Sequence, residues 1–557
     1  MPKLDDVVNE RFRQEIEKAM VLWSVRGCTI VFTQGEDHRI LTFGKRNKHS
    51  DVTGKALFSI ASCSKLVTCL TLLRILGKHN LTIDTRIKSI YPEFRLLDEV
   101  AQEACTFRDL LTHQTGLPGY DHLWNPSYNL SDLPDRLGKL EPTLGFRGGY
   151  QYNSLCYDLI VRIIEYLTKE DHRAVVQREI FDKMGMRDVT FDYGQEGKEY
   201  ASGFWTRSEK SPWKGVLEEG EREFKEHGMA EVELPFGLKH LGEKGGLGTG
   251  RARWLKSYPL LPVYQECLKP LIEADSAGGL DSPDDGLIMY GLGQRISKHR
   301  GCEVIEHSGE IPGFLSRISR LPAHNVGLGI LTNSDPGGKY LRAYVKCRLI
   351  EEFTGLEKVN WLDIIESKRQ EQLVRASKWL DWFGTHIPSE REHAPTREIN
   401  NVDIDPLTGT WEKDGFDKWT ITSENLVREL PILETLPFIP SLYGSVRYFF
   451  SPSPDPTPTP HLKSSSDSTP AGEGGWYDAC IAWTPGSAST STCTTAEDKE
   501  SLLGGCESKS ASLGSELYGA PFKVRLADEN RLEVYGLMGV GEGLTEDDHS
   551  ITFHRVV

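Results

Sequence analysis

Two stretches of the chain carry apolar residues at helical spacing, and both predict buried helices. Leu66, Val67, Leu70, Leu73, Ile75 and Leu76 line one face of the segment that follows Phe58-Ser59-Ile60-Ala61-Ser62-Cys63-Ser64-Lys65. Leu155, Leu159, Ile163 and Leu167 fall at i, i+4, i+8 and i+12, with Cys156, Ile160 and Ile164 as a second row. Strand patterns take over later: one strand over Val304 to Phe314 with small residues near its end, a second around Leu315 to Leu321, a third from Val326 to Asn333. A helical stretch, Trp361 to Phe383, is followed by Thr385 to Val402, whose prolines and charges read as a linker. Beyond Leu407 the pattern turns to short strands at Gly409–Trp411, Trp419–Ile421, Ser445–Phe450, Trp476–Trp483, Phe522–Leu526, Arg531–Tyr535 and Ile551–His554. That spacing predicts a small β-barrel or sandwich. Two low-complexity inserts interrupt it, a Pro/Ser/Thr-rich one at 451–475 and a Ser/Thr/Gly-rich one at 485–515. Both have little to bury and are expected to be disordered. The division expected is therefore residues 1–384, a linker at 385–402, and a β domain at 403–557.

Composition narrows the function classes. The 557 residues are 38% hydrophobic and 26% charged, an ordinary globular balance with ample core. A net charge of −16 argues against nucleic acid and anionic membranes as main partners. Met1 to Asp6 is charged and leads into an amphipathic helix, and no apolar run approaches membrane-spanning length, so no signal peptide or transmembrane segment is seen and a cytoplasmic location is expected. The eleven cysteines are scattered without a Cys-x-x-Cys pair or a His/Cys cluster, so neither a disulfide framework nor a zinc site is indicated. Cys63 stands beside a candidate nucleophile and is a candidate for accidental alkylation. Oligomeric state cannot be read from the sequence.

The candidate chemistry lies in Ser62-x-x-Lys65. Positions i and i+3 share a helix face, which brings the Lys65 amino group beside the Ser62 hydroxyl. A serine hydroxyl needs a neighbour to take its proton, and a lysine does so only when burial or nearby charge lowers its pKa below the free value of about 10.4. The helix N-terminus adds unpaired backbone N–H groups for a developing oxyanion. Taken alone the tetrapeptide reads more simply as an N-cap serine with a lysine in the first turn. Ser211-Pro212-Trp213-Lys214 matches the same pattern and reads as loop. Two further segments, in order, change the balance. Tyr152-Asn153-Ser154 opens the second helix, and a phenol near a lysine can act as general base toward a serine. Glu306-His307-Ser308-Gly309-Glu310 ends the strand at 304; Gly309 allows close approach to that strand, and the Glu310 N–H offers a second oxyanion donor.

Together the three segments resemble the serine β-lactamase and penicillin-binding-protein superfamily, closest to its class C-like branch of esterases, D-amino-acid peptidases and acyltransferases. Thr106 to Pro118 (TFRDLLTHQTGLP), Gly245-Gly246-Leu247 with Arg253-Trp254-Leu255, and Tyr290-Gly291-Leu292-Gly293 are similar to other segments of that family, and the likeness spans about Arg13 to Phe353. The resemblance implies an α+β fold, an antiparallel sheet flanked by helices, and the C-terminal strands resemble the lipocalin-like domain of many relatives. It implies a serine hydrolase cleaving an ester, thioester or amide, with Ser62 as nucleophile, Lys65 and Tyr152 sharing the base role, and the Ser62 and Glu310 N–H groups holding the oxyanion. Ser154, His307, Ser308 and Gly309 would bind a small-molecule acyl substrate, with no metal and no cofactor. An acyltransferase on a small-molecule alcohol and a catalytically inactive binding scaffold remain alternatives.

Three departures bear on substrate. Ser154 replaces the family's asparagine, His307 stands where β-lactamases have lysine, and no counterpart of the class A deacylating carboxylate is found. The stretch 197–244 aligns with nothing in the family, and reads as a solvated insertion more readily than as a cap.

Overall fold

The structure is a computed structural model. It describes residues 2–371 apart from 121–122, 124–129, 187–188, 192–195, 209–228, 234–248, 251–261, 276–285 and 312; beyond that it describes 407–416, 419–421, 428–429, 444–452, 476–485, 517–518, 522–535 and 550–556. The linker, both low-complexity inserts apart from their first or last residues, the Ser211-x-x-Lys214 segment and the Gly245-Gly246-Leu247 and Arg253-Trp254-Leu255 segments lie outside those residues.

An eight-stranded antiparallel sheet organises the first part of the chain. Its strands are β1 (Gly27–Gln34), β2 (Asp37–Gly44), β3 (Ile272–Asp275), β4 (Ile288–Tyr290), β5 (Arg295–His299), β6 (Cys302–Ile311), β7 (Phe314–Leu321) and β8 (Val326–Thr332). They lie in the order β2-β1-β8-β7-β6-β5-β4-β3. Strand alternation divides the apolar residues between two faces. Cys28, Ile30 and Phe32 of β1, with Leu328 and Ile330 of β8, pack on α1 (Glu10–Leu22) and α4 (Gly337–Thr354). Val31, Ile318 and Leu331 point the other way, toward α2 (Ser64–Lys78) and α3 (Ser154–Thr168). Helices thus cover both faces, as the resemblance implied. Each fully buried Leu, Ile or Phe among these contributes about 1.5–3 kcal/mol.

The helices form where the pattern predicted them. Asn153 caps α3 through its side chain, accepting from the Cys156 N–H at 3.1 Å, and Lys169 ends it in a left-handed conformation. α2 follows without a break from a short turn of 3₁₀ helix, Ala61–Cys63. The helix starting at Trp361 also forms and is described to residue 371.

The face under α4 carries buried charge. Glu306 of β6 meets Lys346 Nζ at 3.2 Å and Arg317 at 3.5 Å, and accepts from the Ser319 hydroxyl at 2.6 Å. Arg342, fully buried, donates to the Gly309 and Ser316 carbonyls and to the Glu310 carboxylate. These bonds anchor the far end of β6 from behind.

Part of the 197–244 stretch is strand rather than solvated insertion. Phe204–Ser208 runs parallel to Ser334–Asp335 and antiparallel to Met229–Glu233, and Phe204 is buried. The C-terminal strands predicted from the pattern all form, in a nine-stranded antiparallel sheet. Its pairing path runs from Trp419–Ile421 to Arg428–Glu429, and the described pairs do not close it into a barrel. Trp411, Val524, Leu532, Val534 and Phe553 from this sheet join the apolar core that holds α2 and α3. The Phe416 ring packs edge-on to Tyr120 at 5.9 Å, and Lys413 pairs with Glu141 at 2.7 Å.

Candidate active site

Ser62 occupies the middle of the 3₁₀ turn, half-buried, and Lys65 sits in the first turn of α2 with 6% of its surface exposed. Lys65 Nζ lies 3.4 Å from Ser62 Oγ and 3.1 Å from Ser154 Oγ. Its remaining surroundings are ring faces, Tyr152 at 4.8 Å and Tyr157 at 5.2 Å from the amine to the centroid. No described carboxylate pairs with it. Spacing alone brought serine and lysine together. Tyr152 and Ser154 arrive from α3, which packs against α2 through the apolar rows read from the sequence.

Ala61, the residue before Ser62, has φ 43°, and His113 has φ 57°. Such left-handed backbone costs a non-glycine residue roughly 1–3 kcal/mol and persists only where the surroundings impose it. At Ala61 the imposing contact is β6. A Cβ on Gly309 would meet the Ile60 carbonyl oxygen at 2.1 Å and Ser316 Oγ at 2.4 Å. Ser316 Oγ donates to that same carbonyl at 2.8 Å, and the Cys63 thiol contacts the His307 carbonyl at 3.3 Å. Gly309 is therefore required by the turn that carries Ser62.

β6 outruns its neighbour. β5 pairs with it only as far as Glu306, so, among the described residues, 307–311 pair with a strand on the β7 side alone. Ile311 and Phe314 pair across a two-residue connection, so their polar groups face each other. Alternation then sends the Glu310 N–H to the open side, toward the turn at Ser62.

His307 brings no fixed charge to the site. Its Nδ1 lies 2.5 Å from the Ser308 carbonyl and its Nε2 3.1 Å from the Tyr290 hydroxyl. Burial, reinforced by the positive charge of Lys65, pushes its pKa down to about 3. His113, fully buried, is lowered for the same two reasons. Its ring lies 4.5 Å from that of Tyr152, and its Nε2 lies 3.4 Å from the Tyr290 hydroxyl. Neither His113 nor Tyr290 received a role from the sequence, although both sit in segments matching the family. Cys63 is 1% exposed, with its thiol pushed up to about 12 by burial, which removes it as an alkylation site. Among the described residues no group of three or more His, Cys, Asp or Glu is placed to hold a metal, and no helix is long and apolar enough to cross a membrane.

A Ser-x-x-Lys turn set against the free end of an antiparallel strand, with helices on both faces of the sheet, defines a serine hydrolase of the β-lactamase fold. The beta-lactamase family model matches residues 8–346, and the chain belongs to that family. It is 22% identical over 404 residues to Unguisins hydrolase ungD' of Aspergillus campestris, covering 68% of each chain. Unguisins hydrolase ungD of Aspergillus violaceofuscus is 23% identical over 442 residues, covering 73% of this chain and 75% of the relative. Among solved structures, the octameric penicillin-binding protein homologue from Pyrococcus abyssi superposes with a TM-score of 0.52 at 15% identity, over 98% of this chain and 99% of that one. That likeness is one of fold.

Two outcomes follow from this geometry. Gly309→Ala pushes the Ile60 carbonyl away and is expected to cost about 1–3 kcal/mol of stability in a denaturant melt and to slow acylation of Ser62 measured by a reactive ester; an unchanged acylation rate would show that the strand does not set the turn. The second concerns acid. Both imidazoles hold their protons more weakly in the fold than in the unfolded chain, so from about pH 6.5 downward the unfolded chain binds more protons and stability falls. For His307 the slope approaches about 1.4 kcal/mol per pH unit well below pH 6.5 and fades above it, and His113 acts in the same direction. Urea melts at pH 6.5 and 5 should therefore show His307→Gln losing about 1.6 kcal/mol less than the parent over that interval.

Proposed function

We propose that the protein is a hydrolase working through an acyl-Ser62 intermediate on a neutral ester, thioester or amide. The observation that carries this reading is the buried Lys65 amine within reach of Ser62 Oγ, with Ser154 Oγ and the Tyr152 ring completing its shell. Ser62 Oγ attacks the carbonyl carbon while its proton passes to the Lys65–Tyr152 pair. The Ser62 and Glu310 N–H groups receive the negative charge that builds on the carbonyl oxygen. The C–O, C–S or C–N bond breaks as the same pair returns the proton to the leaving group. Water, activated by that pair, then attacks the acyl carbon and frees Ser62. Passing the acyl group to an alcohol uses the same residues and the same steps, so the two outcomes differ only in what reaches the acyl-enzyme. The names of the fungal relatives favour hydrolysis.

His307 and Ser154 decide the substrate class. A neutral imidazole with both nitrogens bonded inside the protein gives a substrate carboxylate no ion-pair partner. A charge-assisted hydrogen bond contributes about 1.5–3 kcal/mol against about 1 for a neutral one, so a carboxylate-bearing substrate loses several-fold or more while a neutral ester loses nothing. The residues at 1–384 would then form the catalytic domain, with 403–557 appended as a lipocalin-like β domain.

A fluorophosphonate or slow ester should add mass to the Ser62 peptide, and Ser62→Ala should abolish the label; persistence of the label would place the nucleophile elsewhere. Lys65→Ala and Tyr152→Phe should each cut turnover by about 10²–10⁴, and the double variant little further, because the pair acts as one unit. Short- to medium-chain esters should be turned over faster than nitrocefin or benzylpenicillin, with His307→Lys moving the ratio toward the β-lactam. A higher kcat/KM on nitrocefin than on any ester would replace the ester reading with a lactamase one.

A further inference from the structure

Two buried histidines, 113 and 307, flank a single tyrosine hydroxyl, and each ring is bonded at its outer nitrogen to a backbone group of fixed polarity. The Asn153 N–H, which can only donate, meets His113 Nδ1 at 3.0 Å. His113 Nδ1 is therefore the acceptor, and the neutral ring carries its proton on Nε2. The Ser308 carbonyl, which can only accept, meets His307 Nδ1 at 2.5 Å. His307 Nδ1 is therefore the donor, and Nε2 is left to accept. Between them the Tyr290 hydroxyl lies 3.4 Å from His113 Nε2 and 3.1 Å from His307 Nε2. It accepts from the first and donates to the second. The neighbouring Tyr157 hydroxyl does not compete for the role of donor, since it donates to the Leu111 carbonyl at 2.8 Å. The backbone thereby fixes one tautomer at each ring, His113 protonated on Nε2 and His307 on Nδ1, and the Tyr290 hydroxyl sits between the one Nε2 that donates and the one that accepts.

We infer that His113 and Tyr290 are positioning residues that hold His307 as a neutral imidazole of one tautomer beside the Lys65–Tyr152 pair. The groups facing His307 agree with that assignment. Lys65 comes from α2, Tyr152 from the approach to α3, Tyr290 from β4 and Arg295 from β5, while Arg317 of β7 acts through the strand from the opposite face. All are cationic or neutral. Glu306, the adjacent carboxylate on the strand, is turned to Lys346 and Arg317 on the opposite face. A proton on His307 Nε2 would have to displace the Tyr290 donor and join these cations. His113 also lies against the Tyr152 ring, so the same bonds that fix the tautomer fix the face on which Tyr152 rests.

The tautomers are directly observable. In the full-length chain labelled with ¹⁵N-histidine, two-bond nitrogen–proton correlation spectra at pH 7 and pH 5 should show His307 protonated on Nδ1 and His113 on Nε2, both neutral at each pH. His113→Gln and His307→Gln identify the signals. The opposite tautomer at either ring, or an imidazolium at pH 5, would overturn the inference. Tyr290→Phe removes one hydroxyl and keeps the ring. It should raise the pH at which His307 titrates by a unit or more, and the acid limb of kcat/KM for a neutral ester should rise with it. Titration and acid limb both unmoved in that variant would also overturn the inference. If Tyr290→Phe does not fold, the wild-type spectra decide alone. The inference draws on the acyl-Ser62 reading only for its kinetic arm, and the spectra remain decisive even if Ser62→Ala keeps its label.

Discussion

Lys65 is held in a nearly dry corner among hydroxyls and aromatic faces, with no carboxylate among its described partners. Its surroundings have to accommodate an amine there without an ion-pair partner. Ser62 and Ser154 supply hydroxyl oxygens at hydrogen-bond range, and Tyr152 and Tyr157 turn the negative faces of their rings toward Nζ. Two imidazoles close by cannot ionise without adding like charge to the same low-dielectric space, and both are depressed for that reason on top of their burial. The two imidazoles therefore stay neutral beside Lys65, and the backbone groups at Asn153 and Ser308 set which nitrogen of each carries the proton.

The position of that corner depends on a contact made from outside it. Ser62 is on a turn whose carbonyl at Ile60 presses on Gly309, and the strand bearing Gly309 is fastened from behind by Arg342, which bonds the Gly309 and Ser316 carbonyls. A fully buried guanidinium is costly unless its donors are used, and here they are spent on two backbone carbonyls and the Glu310 carboxylate. Strand, turn and helix α4 are in this way one mechanical unit. The left-handed backbone at Ala61 is the local cost of making the turn meet the strand.

How much of this was legible in the sequence divides along the range of the interactions. Ser62 with Lys65 was legible because helical geometry makes i and i+3 neighbours whatever the rest of the chain does. Helix α3 and strands β6 to β8 were legible because their apolar periodicities are strong and uninterrupted. Tyr152 and Ser154 could be joined to the site only through the family resemblance, since nothing local says that α3 packs on α2. His113 and Tyr290 are 177 residues apart in the chain and meet only because the sheet order brings β4 toward the loop after Leu111. Each alone is a common residue in an ordinary segment, so no local signal marks them. Gly309 illustrates a different gap: its presence was plain, but its reason was taken to be room for substrate, whereas the Ile60 carbonyl already fills the space a side chain would need. The strand Phe204–Ser208 within 197–244 left no local signal because its partner is Ser334–Asp335, far along the chain.

The same division explains why fold and family come through at about one-fifth identity while substrate does not. The sheet, the two-faced core and the Ser-x-x-Lys turn depend on many weak contacts whose loss at one position is absorbed by the others. Charge at position 307 has no such redundancy. A lysine there would put an ammonium in place of a neutral imidazole whose ring lies 6.3 Å from that of Tyr152. It would also have no use for the Tyr290 donor, because an ammonium cannot accept a hydrogen bond. Exchanging the imidazole for an ammonium is therefore not a local change. It would leave the Tyr290 hydroxyl to find another acceptor in a buried site. The neutral histidine at 307, the tyrosine at 290 and the histidine at 113 form a matched set, and the preference proposed for an uncharged acyl substrate would rest on that set with His307 at its centre.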